Sequence, residues 1–272
     1  MGVSLGILLA FAAMIFWGFG DFLIQKSVRK IGNMTSLFYI TLFGAISLLP
    51  FVYDDIWMIF SNNTDFLLLM LGSVILFFAA ILDFEALKKG KLSVIEPLWS
   101  LEIVFASMMS FIILKEVIES FQVVLIISLI VGLVLVSLRN PSVFKRFFLE
   151  RGVFLGIASA SAMGVANFFM GWMARTTDPL LAKWFFDVIL ALLSLVIILQ
   201  RKEFHILKKD YLNNKKMVWG MCVFDNIAWT AYAFSMSLVS ISIATAISES
   251  YIIIAVLLGI YINKEKLKKH QI

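Results

Sequence analysis

Apolar stretches of about 20 residues recur along the chain, each closed by a short polar segment. A helix needs roughly 20 apolar residues to cross the hydrocarbon layer of a bilayer. Nine stretches reach that length, at about 3–24, 34–52, 66–84, 92–114, 119–138, 152–173, 179–199, 217–236 and 240–262. The pattern predicts an all-α integral membrane protein with nine transmembrane helices. The connections are short, and the longest, about 200–216, is too small and too charged to be a domain. The first stretch has no basic segment before it and is too long for the apolar part of a signal peptide, so a retained helix is expected.

The pattern also repeats. Gly2-Val3-Ser4-Leu5-Gly6-Ile7 returns 150 residues later as Gly152-Val153-Phe154-Leu155-Gly156-Ile157. Lys115-Glu116-Val117-Ile118 returns at an offset of 149 as Lys264-Glu265-Lys266-Leu267. The duplication divides the chain into a five-helix unit, 1–139, and a four-helix unit, 140–272. Because five is odd, the second unit enters the membrane upside down relative to the first. This predicts the inverted-repeat plan of secondary transporters, with a site near the midplane. After Lys264-Glu265 only seven residues remain, where the first unit has the stretch Phe121 to Leu138. A tenth helix is therefore expected by the repeat and absent from the sequence. Either the sequence is a truncated one, or a partner helix or second subunit, as in a homodimer, completes a nine-helix protein.

Composition agrees with the membrane class. Hydrophobic residues make up 61% and charged residues 15%, against about 45–50% and 25% in soluble domains. The basic balance (pI ≈ 9.2) would suggest nucleic acid in a soluble domain. Here 20 of the 23 Lys and Arg lie in the odd-numbered connections and the C-terminal tail, among them Lys26, Arg29, Lys88, Arg139, Lys145, Arg201 and Lys208. The even side keeps Lys115, Arg175 and Lys183, with Asp54, Asp55 and Asp65 clustered in its second connection. Positive residues mark the cytoplasmic side. The N-terminus is thus expected outside a cell (plasma or inner) membrane and the tail inside, with anionic lipid headgroups against the basic loops. Nucleic acid is not expected as a partner.

No catalytic constellation is visible. Cys222 is the single cysteine and has no disulfide partner. His205 and His270 lack acidic or cysteine neighbours at metal spacing, and no Gly-x-x-x-x-Gly-Lys loop is present to bind ATP. No cofactor, no metal and no enzymatic activity are expected. Gly18 and Gly20 lie within a helix and read as packing or bending points.

The informative residues are acids within the apolar stretches: Asp21, Asp83, Glu96, Glu102, Asp187, Asp225 and Glu249, with Lys183 the one base among them. A charge at the bilayer centre is costly, so such residues face the interior and are functional candidates. Asp21, Asp83 and Glu96 lie near stretch ends and are expected to reach towards water. Glu102, Asp225 and Glu249 lie near mid-depth. Helical spacing aligns Ser242, Thr245 and Glu249 in one stripe, and Asp225, Trp229 and Tyr232 in another beside Asn226. Trp99, Glu102 and Ala106 form a third, with Pro97 removing a backbone donor one turn into its stretch. Gly156, Ala160 and Gly164 form a small-residue packing seam leading to Asn167 and Gly171. Trp57 and Trp219 read as interface anchors, and Trp17, Trp99, Trp172 and Trp229 as interior walls.

The Trp17-Gly18 pair, the duplicated five-helix unit and the Lys-Glu-x-(Leu/Ile) turn resemble the EamA family of the drug/metabolite transporter superfamily. Glu116, Gln122 and Gly132 match the family's loose acidic, Gln and Gly pattern after that turn. The resemblance spans about the whole chain and implies a membrane transporter. The family is typically ten-helical, with both termini cytoplasmic in many members; this chain departs from it in helix count and in the orientation that its charges predict.

An acid-rich interior disfavours a free anion and suits protons, cations or the amino end of a zwitterion. Burial disfavours the charge of a lone carboxylate, so Glu102 or Glu249 is expected to exchange a proton as substrate binds or leaves. The leading reading is a secondary transporter of small metabolites or cationic compounds. The alternatives are a flippase for lipid-linked sugars or polar lipids and a truncated, non-transporting interaction subunit.

Overall fold

Thirty residues from Gly2 form the first helix, α1 (Gly2–Ile31), about 45 Å long at 1.5 Å per residue. The computed structural model describes residues 2–117 and 152–264. The expected helix at 119–138, Gln122, Gly132, Arg139, Lys145, Arg146, Arg151 and the tail from Glu265 to Ile272 lie outside the described residues.

Gly32, with φ 88°, turns the chain from α1 into α2 (Asn33–Val52). A short 3-10 turn (Tyr53–Asp55) and α3 (Ile56–Ser61) lead to α4 (Asn63–Lys89), whose first turn is capped by the Asn62 side chain accepting from Thr64 N–H. Next come α5 (Leu92–Trp99), α6 (Leu101–Met109) and a π-helical turn (Ser110–Leu114). The second half opens with α7 (Val153–Thr176). Asp178 then caps α8 (Pro179–Gln200), its carboxylate accepting from Leu180 N–H at 2.8 Å and Leu181 N–H at 3.1 Å. Pro179 fits at the first helical position because its missing N–H is not needed there. α9 (Phe204–Leu238) is followed by α10 (Ile241–Ser248), a 3-10 turn (Glu249–Tyr251) and α11 (Ile252–Tyr261).

Every described element is helical, as lipid requires: a helix satisfies its own backbone hydrogen bonds where no water can. Among the described residues, seven spans are long and apolar enough to cross a membrane: Gly2–Ile31, Asn33–Ser61, Asn63–Lys89, Ile95–Leu114, Val153–Thr176, Pro179–Gln200 and Ile241–Tyr261. The stretch expected at 217–236 is the later part of α9, beyond a kink at Asn214 (φ −132°). Most of the connection expected at 200–216 is helical, because α9 already starts at Phe204. Large apolar side chains such as Leu8, Phe51, Phe78 and Ile253 point outward, where lipid rather than water is their solvent.

The packing follows the duplication. α1 lies along α9, α4 along α7, and α2 against α8. Exchanging each helix for its counterpart in the other half converts the α1–α9 pair into the α7–α4 pair. The two Lys-Glu turns agree at the backbone, since Lys115 (φ 57°) and Lys264 (φ 53°) are both left-handed. The ends of the bundle are tied by polar contacts. At one end Arg29 donates to Gly90 O, Asn33 to Glu85 at 2.6 Å, and the amides of Gln25 and Asn263 meet at 3.0 Å. At the other, Arg175 pairs with Glu116 and donates to Met236 O and Val239 O, both at 2.7 Å. Glu116 also accepts from Ile241 N–H at 3.2 Å, at the start of α10.

Candidate functional site

Two spans are interrupted at matching places. α5 and α6 are separated by Ser100, while α10 gives way to the 3-10 turn at Glu249. Both interruptions come eight residues after the start of the span, at Leu92 and Ile241, and they stand 149 residues apart. In the first, Pro97 lacks the N–H that would continue the ladder, and Ser100 Oγ donates to Pro97 O at 2.7 Å. Discontinuous helices at mid-membrane expose polar groups only where they face a cavity.

Such a cavity is present, with a volume of about 80 Å³. Its walls carry Trp17 and Asp21 from α1, Thr41 from α2, Asp83 from α4, Glu102 from α6, and Met163 and Asn167 from α7. Lys183 and Asp187 come from α8, Asp225 and Trp229 from α9, and Glu249 and Tyr251 from the 3-10 turn. Among the described residues, six carboxyls from six elements thus meet one ammonium.

Glu102 is held by Asn167, whose Nδ2 donates to Glu102 Oε2 at 3.0 Å. The small-residue seam makes this bond feasible. A Cβ at Gly164 would lie 2.6 Å from Phe105 Cβ and 2.7 Å from Glu102 O, so only glycine lets α7 come this close to α6. One turn later on α7, Asn167 then reaches Glu102. The pair has a repeat counterpart: Trp17 and Tyr251, at offsets of 150 and 149, whose ring centroids are 5.9 Å apart. One half contributes a polar pair to the cavity and the other an aromatic pair. Glu249 Oε2 and Asn167 Oδ1 have no hydrogen-bond partner among the described residues, although both side chains are buried.

Lys183 is committed on another wall. Its ammonium pairs with Asp187, one turn along α8, and donates to Asn226 Oδ1 at 3.1 Å. Asn226 in turn donates to Ile40 O and Cys222 O, each at 2.9 Å. Gly44 on α2 makes room for this cluster, because a Cβ there would collide with both the Asp187 carboxylate and the Asn226 amide.

Of the residues singled out by sequence, Glu102, Asp225, Glu249, Asn167 and Trp229 reach the cavity, as do Asp21, Asp83 and Asp187. Four do not line it, and nor does Glu96. Trp99 is buried in the packing around α5. Asn226 serves Lys183 from behind, and Tyr232 and Thr245 bond each other at 2.6 Å. Asp21 and Asp83 face the cavity instead of an aqueous end, because α1 and α4 continue past their apolar stretches to Ile31 and Lys89. Trp17 joins Trp229 as an interior wall, whereas Trp172 stacks on Phe169 away from it. Tyr251 and Thr41 were not legible as site residues. Lys183 carried a signal: an apolar interior with one base should spend that base on an acid. Among the described residues no group of three or more His, Cys, Asp or Glu side chains could hold a metal ion.

No curated protein matches the chain. The model of the EamA-like transporter family does match it, over residues 4–138 and again over 150–272, so the family's unit occurs twice. A multi-pass membrane protein of transporter type follows, and the interrupted spans with their shared cavity lie within those two matches. The chain belongs to the EamA-like transporter family.

Proposed function

We propose that the protein is a secondary carrier of small cationic or zwitterionic metabolites that works by alternating access and couples transport to protons through Glu102 and Glu249. The observation that carries this reading is the charge of the cavity: six carboxyls against one ammonium that Asp187 already engages. Such walls repel a free anion and attract a cation. The volume of about 80 Å³ is below the roughly 300–1,000 Å³ of sites for drug-sized ligands, so a metabolite needs the two halves to part around it. A carrier of this kind loads with one end open and unloads with the other open. The packing of α1 on α9 and of α4 on α7 joins a helix of unit 1–139 to one of unit 140–272 in each case, so opening requires these paired helices to slide or tilt on one another. The excess of Lys and Arg in the connections at one end supports a cytoplasmic position for that end.

A carboxyl away from bulk water exchanges its proton for a cation at lower cost than it holds an unpaired charge. Glu102 and Glu249 sit at or beside the two interruptions, where motion would alter their access. Purified protein in liposomes, supplied with amines, amino acids and sugars, should move protons with an amine-bearing solute. Glu102→Gln or Glu249→Gln should abolish proton-coupled flux while leaving expression intact. Unchanged flux in both single variants would remove the carboxylates from the mechanism.

A further inference from the structure

Three aromatic rings reach the cavity at one place, and their arrangement is specific. Trp17 and Trp229 stand nearly perpendicular, at 85°, with centroids 5.1 Å apart. Tyr251 meets Trp17 at 5.9 Å and 54°. The three come from α1, α9 and the 3-10 turn, so the bundle brings together rings that no single helix could present. Behind them Tyr232 braces both tryptophans, at 5.0 Å from Trp17 and 5.9 Å from Trp229, and Thr245 holds its hydroxyl at 2.6 Å. Carboxylates lie in the same wall. Asp21 is one turn beyond Trp17, and Glu249 is two residues before Tyr251, its buried Oε2 without a partner among the described residues.

We infer that Trp17, Trp229 and Tyr251 form a cage for an alkylated ammonium head, with Glu249 and Asp21 as its counter-charge. The inference rests on the carrier reading above and narrows its substrate class. Rings inclined to one another border the cavity in different planes, and a cation over an exposed face is attracted by it. A primary ammonium is strongly hydrated and gains most from hydrogen-bond acceptors, which the faces of the rings do not supply, so the carboxylates alone would have to replace its water. An ammonium carrying methyl groups spreads its charge over C–H bonds and sheds water readily, so it gains most from such walls. The Lys183–Asp187–Asn226 cluster, with its ammonium already paired, leaves Glu249 to balance the incoming charge, with Asp21, which is hydrogen-bonded to Tyr251, beside it. A cavity of this size takes the head of the molecule and leaves its tail towards the opening.

The test uses the full chain in lipid nanodiscs, with tryptophan fluorescence reporting the binding of tetramethylammonium and methylammonium at equal ionic strength. Tetramethylammonium should bind about tenfold more tightly than methylammonium, since one or two ring contacts differ between them. Trp229→Leu should bring that ratio close to one, Trp229→Phe should keep part of it, and Glu249→Gln should weaken both ligands together. The ratio is read within each folded variant, so a general loss of stability does not imitate the result. Equal or tighter binding of methylammonium, or no binding of tetramethylammonium, overturns the cage. In the second case proton-coupled flux of another solute through the same protein in liposomes leaves the carrier reading standing, and no flux of any solute overturns both.

Discussion

Gly164→Ala is the most direct test of how the site is assembled. The added Cβ would lie 2.7 Å from Glu102 O, and ordinary contact begins at 3.4 Å, so α7 and α6 must separate by about 0.7 Å. The obstacle includes backbone, which cannot rotate aside. Asn167 sits one turn further on α7, and its bond to Glu102 is now 3.0 Å. The same displacement takes it to about 3.7 Å, beyond useful hydrogen-bond range. Overpacking of this kind costs about 1–3 kcal/mol, and the parted bond leaves a buried carboxyl without its donor. The variant should melt earlier in detergent and lose proton-coupled flux together. Gly20→Ala is the control, because the nearest atom to its new Cβ is 3.7 Å away, and it should behave as the parent does. If Gly164→Ala keeps both melting temperature and flux, close approach of α7 to α6 does not position Glu102.

Lys183→Met should destabilise the protein by about 3–5 kcal/mol, since it strands the buried Asp187; adding Asp187→Leu should recover much of the loss in thermal melts, and a double variant no better than the single one would refute the pairing. Arg175→Lys replaces a fork that serves Glu116, Met236 O and Val239 O with a single ammonium. It should cost about 1–3 kcal/mol, and melting indistinguishable from the parent would show that the contact does not tie that end of the bundle. A cysteine at His205 should react with a membrane-impermeant thiol reagent only in broken cells, with little background because Cys222 is buried; labelling in intact cells would reverse the proposed orientation.

Much of the candidate site was legible because lipid leaves few options for a charge. Glu102, Asp225 and Glu249 could be chosen on depth alone, and all three meet in one cavity. Asp21 and Asp83 were harder to place, since an apolar stretch ends where polar residues begin while the helix itself continues. Helical spacing showed which side chains share a face but not what stands opposite. Tyr232 and Thr245 share stripes with cavity acids, yet they satisfy each other at 2.6 Å. Asn226 neighbours Asp225 in sequence but points to Lys183, on a helix 43 residues away.

The amino-acid pattern by itself determined the membrane class, the duplication and the pool of interior acids, because hydration energies are large and local to each residue. Tertiary structure alone decided which acids share a wall, that Asn226 reaches Lys183 from another helix, and that Trp17, Trp229 and Tyr251 converge. Those outcomes depend on how closely helices far apart in sequence can approach. That approach is limited at single positions such as Gly44 and Gly164, where the size of one side chain determines whether the neighbouring helix fits.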